Sequence, residues 1–257
     1  MGLRRLGPDA WLELEHPRLV EQREAKVSLM ERMGDELLIT LPAADEPSAE
    51  LLADIESIFA RRGHDRPDID QGLHPLDAAA RLIREDLVVH VEVDGRYLVA
   101  GGSVCFPTRW VLADKVGQPL DLVHSPVPGY QTDVADRVTT FLNRLEPGPG
   151  VWRRNWSLMP TDDLCLPGRH DYLPLGARPE SLWFRTERQT LRRLARTGAV
   201  VFSIGIDVEP LSGLAADRPT ALALADTIET LGDEFRAYKG LAERGDDIVA
   251  YLRDNRD

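Results

Sequence analysis

The sequence predicts an α+β fold, with an antiparallel sheet of about five strands and helices before, between and after it. Three observations predict it. A period of two sets in at Leu87, where Val89, Val91 and Val93 alternate with His90 and Glu92. Asp94-Gly95 then separates this run from a second one carrying Tyr97 and Val99, and an Asp-Gly pair between alternating runs is a strong hairpin signal. Helical spacing dominates the residues before this point and returns from Pro219.

The elements follow in order. Arg18 to Met33 is charged and weakly periodic and reads as a helix. Ser48 is placed to cap a stronger helix carrying Leu51, Leu52, Ile55, Ile58 and Phe59. Gly63 to Pro75 is polar and rich in breakers, hence a loop, and a helix from Leu76 to about Glu85 leads into the hairpin. Further strands are expected at Ser103–Phe106, Val151–Met159, Ser181–Arg185 and Ala199–Val208. Two helices separate them. Val134, Val138, Phe141, Leu142 and Leu145 mark one face of the first, which Pro147 and Gly148 end. Thr186 opens the second, Gln189 completes a capping box, Leu191 and Leu194 follow, and Gly198 stops it. Val200, Phe202, Ile204 and Ile206 are expected on one face of the last strand. The whole chain, 1–257, reads as a single domain with a helical part over 1–86, a sheet core over 87–210 and a second helical part over 217–257.

Composition excludes several classes of function. The 257 residues carry 31 basic and 43 acidic side chains, a net charge of -12, and a hydrophobic fraction of 43%. That is a soluble globular balance, and it argues against a general nucleic-acid binder, which needs clustered Lys and Arg to neutralise phosphates. The longest apolar run, Ala199 to Ile206, is broken by Ser203 and Gly205, so no membrane span is expected. Arg4 and Arg5 are not followed by an apolar stretch, so no secretory signal is read and a cytoplasmic address is expected. Cys105 and Cys165 lie outside any C-x-x-C, which rules out a disulfide framework, a zinc ribbon or an iron–sulfur cluster held by this chain alone. There is no nucleotide fingerprint, no G-x-S-x-G and no H-E-x-x-H.

Three places carry candidate chemistry. His124 precedes Pro126 and Pro128, which push Ser125 and Val127 towards extended backbone. A rigid setting of this kind suits either a metal-ligating imidazole or a histidine bonded within a proline-rich turn. In Val151–Met159 the alternation puts Trp152, Arg154, Trp156 and Leu158 on one face and Arg153, Asn155 and Ser157 on the other. Arg154, between two tryptophans, requires a carboxylate partner or stacks on an indole as a cation–π pair. In Thr186-Glu187-Arg188-Gln189, Glu187 suits a helix first turn, whereas Arg188 is a cation in the wrong place and serves as counter-charge to a ligand or to Glu187. His16, His64, His74, His90 and His170 lack metal-ligand spacing and read as surface or structural residues, and Cys105 as a small core residue, with a thiolate metal ligand as the alternative.

These stretches together resemble a known family. P-T-R-W-x4-K-x-G-x2-L-x3-H-x-P-V-P from Pro107 to Pro128, R-x-N-W at Arg153–Trp156 and E-R-Q-T-L at Glu187–Leu191, followed by F-S-I, are similar in order and spacing to the haem-dependent oxidative N-demethylase alpha-subunit-like family. The resemblance implies a PAS-like sheet with haem b held against it. It implies oxidation of a small secondary amine such as dimethylamine by O2, with electrons from separate reductase subunits carrying flavin mononucleotide and a two-iron, two-sulfur cluster. It also implies roles. His124 would be the haem-iron ligand, Arg153 or Arg154 would pair with a propionate or polarise oxygen, and Asn155 belongs to the same motif. Glu187 would hold the substrate ammonium, Trp156 would wall the porphyrin or a methyl group, and Arg188 would be a counter-charge near the cofactor. The motif aligns Arg153 with its fixed arginine, whereas the alternation favours Arg154, so both remain candidates. A haem-binding sensor or carrier without turnover, or a haem-free binding protein, are the alternative functions.

Overall fold

Asp94 and Gly95 both adopt left-handed backbone, at φ 50° and 78°, which is what a two-residue hairpin turn needs. They join β3 (Asp86–Val93) to β4 (Arg96–Ser103) in the antiparallel register Val93↔Arg96. The computed structural model describes residues 2–130, 134–168 and 173–254; His170 lies outside them. The other strands are β1 (Arg4–Arg5), β2 (Leu38–Thr40), β5 (Val151–Met159), β6 (Trp183–Arg193) and β7 (Val200–Pro210). Together they form one antiparallel sheet in the order β1-β5-β6-β7-β3-β4-β2. The class is α+β, as the sequence predicts, with seven strands among the described residues where about five were expected. The two extra strands are edge strands of two and three residues, too short to show a period.

The helices are α1 (Leu19–Leu37), α2 (Asp45–Arg62), α3 (Pro75–Leu82), α4 (Leu120–Val123), α5 (Ala135–Asn143), α6 (Leu211–Ala216), α7 (Arg218–Glu229), α8 (Asp233–Tyr238) and α9 (Gly245–Asp254). None is long and apolar enough to cross a membrane among the described residues. α1 looks weakly periodic in sequence because its inward stripe is partly polar: Gln22 and Lys26 are buried along with Met30 and Leu37. Gln22 donates to the Ile206 carbonyl at 2.9 Å, and Lys26 donates to the carbonyls of Ile83 and Glu85. α2 begins at Asp45, so Ser48 is a buried residue inside the helix and not its cap.

α1, α2 and α3 cover one sheet face, where Leu51, Ile55, Phe59, Leu82 and Trp11 pack with Leu87, Val89 and Val201. The C-terminal helices form a second core around Leu158 and Leu182, with Leu211, Leu224, Ile228, Ile248 and Leu252. On the opposite sheet face Val88, Val99 and Leu112 pack with Phe202, and Tyr97, Leu142, Leu145 and Val200 form a further cluster.

Two expected elements are corrected. The helix expected over Thr186–Gly198 is instead the greater part of β6, an interior strand paired with β5 from Trp183 to Leu191 and with β7 along its whole length. The capping-box pattern is real, but two ladders of backbone bonds override a local helix preference. The strand expected at Ser103–Phe106 is only the end of β4. Beyond Ser103 the chain leaves the sheet, and the N–H groups of Cys105 and Phe106 bond to the Asp86 carboxylate at 2.9 and 2.8 Å.

Gly150, just before β5, has φ +85°, and a Cβ there would sit 2.3 Å from the Leu191 carbonyl oxygen. Gly150→Ala therefore combines left-handed strain with a backbone clash. A loss of about 2–4 kcal/mol is expected in urea unfolding, with an unchanged m-value. A variant as stable as the parent would show that β1, β5 and β6 do not meet as described.

Candidate functional site

β5 and β6 pair with Arg153 opposite Gln189 and Asn155 opposite Glu187, so these four side chains share one face. They are wired together. Glu187 Oε2 accepts from Asn155 Nδ2 at 3.1 Å and from Gln189 Nε2 at 2.7 Å, and Oε1 accepts from the Thr108 hydroxyl at 3.2 Å. Gln189 Oε1 in turn accepts from Arg153 Nε at 2.8 Å. All three groups bonded to Glu187 are neutral. No cation lies within ion-pair distance of its carboxylate among the described residues.

Thr108 reaches this carboxylate because its loop is pinned from two sides. Asp86, fully buried, holds the loop N–H groups at Cys105 and Phe106. Arg185, also fully buried on β6, donates to the carbonyls of Phe106 at 2.7 Å, Leu164 at 3.0 Å and Asp163 at 3.3 Å. Burial pushes the Arg185 pKa down, and the charges of Glu187 and Asp86 pull it back up. Burial likewise raises Asp86, while Lys26 and the two N–H bonds oppose that rise.

His124 closes the single turn of α4. Its Nδ1 bonds to the Leu120 carbonyl at 2.9 Å, which places the ring hydrogen on Nδ1 and leaves Nε2 with a free lone pair. Burial keeps the ring's proton affinity below that of an ordinary histidine; the Leu120 bond opposes this, and the charges of Arg153 and Lys115 reinforce it. Tyr130 stacks on the imidazole, centroids 4.8 Å apart and planes within 15°. The loop differs from the extended run expected. It is two successive turns, Val127 N–H to the His124 carbonyl at 2.9 Å and Tyr130 N–H to the Val127 carbonyl at 3.1 Å. The prolines sit inside these turns, where a fixed φ is equally useful.

The structure therefore gathers Arg153, Asn155 and Glu187 on one face, with the charge of Arg153 felt at His124. Arg154, Trp156 and Arg188 are on the other. Arg154 is exposed and stacks 5.9 Å from the Trp152 ring, the cation–π arrangement rather than a buried ion pair. Arg188 binds the N-terminal segment, bonding to the carbonyls of Ala10 and Trp11 and lying 3.5 Å from Glu13. Trp156 packs on Phe184 beside the C-terminal helices.

The remaining described histidines have local structural partners. His16 lies 3.3 Å from Asp207, His64 bonds to Glu15 and His74 to Asp45. His90 is buried, bonded to the Val200 carbonyl and lowered to about 4 by desolvation. The Cys105 thiol is pushed up to about 12 by burial first and Asp86 second, so it is an inert core residue. Gln189, Thr108 and Lys239 were missed as site residues. Gln189 is two residues from Glu187 and becomes visible once β6 is recognised as a strand; nothing local marks Lys239.

A family model described as haem-dependent oxidative N-demethylase, alpha subunit-like, matches residues 64–249. The chain belongs to that family. In this N-demethylase-like chain the matched span contains Thr108, His124, Arg153, Asn155, Glu187 and Lys239, so the whole wired face lies inside it.

The family description makes haem the cofactor to test against these residues. Among the described residues no three of His, Cys, Asp and Glu converge to hold a bare metal ion. Haem asks for less, because the porphyrin supplies the equatorial nitrogens and the protein supplies an axial ligand. A neutral imidazole with its Nδ1 engaged by a carbonyl and its Nε2 free meets that requirement, and Arg153 offers a guanidinium for a propionate. The donor set fits.

Proposed function

We propose that this chain is the haem-binding subunit of an O2-dependent amine N-demethylase, acting on a small secondary amine such as dimethylamine. Haem b would be held by His124 Nε2 with a propionate on Arg153, and would supply the oxidising one-electron chemistry. Flavin mononucleotide and the two-iron cluster would reside on separate reductase subunits, since this chain has neither the cysteine set nor the glycine-rich loop for them.

The observation that carries the reading is the arrangement around Glu187. Its carboxylate accepts hydrogen bonds from the neutral groups of Thr108, Asn155 and Gln189. These donors orient the carboxylate without cancelling its charge, so it is prepared for a cation that arrives from outside. A secondary ammonium carries two N–H donors and a full positive charge and is such a cation. Thr108 and Gln189 are positioning residues on this reading, and Arg153 acts on the amine only through Gln189.

Formaldehyde release from dimethylamine, measured with O2 and the cognate reductase, tests the proposal. Glu187→Gln is the isosteric control: kcat/KM is expected to fall about 10²–10³-fold, the value of a charged partner lost from a partly buried pair. The Soret band should be unchanged, because Glu187 takes no part in holding haem. Full turnover by the variant would remove Glu187 from the amine site.

A further inference from the structure

We propose that Lys239, immediately after α8, is a positioning residue of the amine site and acts on Glu187 through Asn155. Its ammonium lies 3.4 Å from Asn155 Oδ1, donates to the Trp156 carbonyl at 2.7 Å and sits 4.4 Å over the Trp156 ring. It thus wraps the edge of β5, touching groups from both faces of the sheet.

The consequence lies in the amide. An asparagine side chain can present either oxygen or nitrogen to a neighbour. With a cation against Oδ1, the nitrogen must face the other way, and it donates to Glu187 Oε2. Gln189 is fixed in the same manner, its Oε1 taken by Arg153 and its Nε2 given to the same Glu187 oxygen. Two cations that do not touch Glu187 therefore each lock one amide, and both amides aim N–H groups at one oxygen. Without Lys239 the Asn155 amide keeps its bond to Glu187 but loses the second contact that fixes where its N–H points. The charged neighbours of this cluster are Arg153 from β5, Arg185 from β6, and Arg109 and Lys239 from the flanking segments; Tyr238 feels Glu187, Arg153 and Arg109.

This inference rests on the amine reading of Glu187, but one arm of its test does not. Lys239→Met keeps an apolar stem over Trp156 and removes the ammonium. In the full chain without amine, the side-chain amide resonances of Asn155, assigned by their loss in Asn155→Ala, should move in Lys239→Met and return towards the parent in Lys239→Arg. In the haem-loaded protein, the affinity for dimethylammonium chloride should drop about tenfold in Lys239→Met and recover in Lys239→Arg. In an Asn155→Ala background, Lys239→Met should add less than about a twofold loss, because its route is gone. Lys239→Gln, a neutral donor one atom short, is the second variant should Met not fold, and should move the same resonances less. Unmoved Asn155 resonances in a folded Lys239→Met protein, or the same affinity loss with and without Asn155, would overturn the assignment. If the parent binds no dimethylammonium while the resonances still move, the amine reading fails and the positioning of Asn155 by Lys239 stands.

Discussion

His124→Ala is expected to abolish the Soret band of the chain expressed with haem supply, or to replace it with that of loosely held haem, while far-UV circular dichroism stays near native. The expectation follows from how little of the fold His124 supports. It caps a single turn, its ring stacks on Tyr130, and its Nδ1 bond goes to a carbonyl four residues back. An iron ligand lost from such a place removes cofactor affinity and leaves the core intact. Absorbance between the Soret and visible regions, with pyridine haemochrome quantitation of bound haem, reads the result. An unchanged spectrum would falsify His124 as the ligand and turn attention to other histidines.

Arg185→Met should be the most destabilising single change near the site. The guanidinium has no exposed surface and ties Phe106, Asp163 and Leu164 to β6 by their carbonyls. Methionine fills much of the volume but leaves those oxygens without this donor. A loss of about 3–5 kcal/mol is expected, visible as a fall of roughly 6–20 °C in Tm for a chain of this size. The loss should also grow with pH. Asp86 has its pKa raised by burial above the unfolded value, so its contribution is fully present below the unfolded pKa and is lost as pH rises through the folded one. Removing the Arg185 charge raises it further, so the deficit should widen as pH rises above the ordinary carboxylate range. A deficit independent of pH would mean that Arg185 and Asp86 are not coupled. Because Thr108 rides on the same loop, the variant should also lose amine affinity in whatever fraction stays folded.

What the sequence shows and what it hides can be traced to particular residues. The hairpin was legible because Asp94-Gly95 reports a backbone conformation directly, and β5 because its bounds coincide with one uninterrupted alternation. The same alternation separated Arg153 and Asn155 from Arg154, and the structure keeps that separation. β6 was hidden because both of its faces carry polar work: Arg185, Glu187 and Gln189 on one, Arg188 and Arg192 on the other. A strand with two polar faces shows no apolar period, and Thr186 with Gln189 then imitates a helix start. Lys239 was out of reach for a different reason. Its partners lie more than eighty residues earlier in the chain, and such a contact leaves no mark on local spacing.

The order of strands bears on how the molecule comes into being. β3 with β4, and β6 with β7, are hairpins that can zip locally, but the seam between β3 and β7 joins Asp86 to Ile204, about 120 residues apart. Chain entropy opposes that closure, so it should be late and slow relative to either hairpin. His124 follows β4 on one side of this seam, and Arg153 and Glu187 stand on β5 and β6 on the other. The imidazole therefore comes within reach of the Arg153 charge only after the slowest pairing is complete. A nascent chain should expose neither half of the site in working form, and capture of haem should report the end of refolding, lagging behind the recovery of secondary structure.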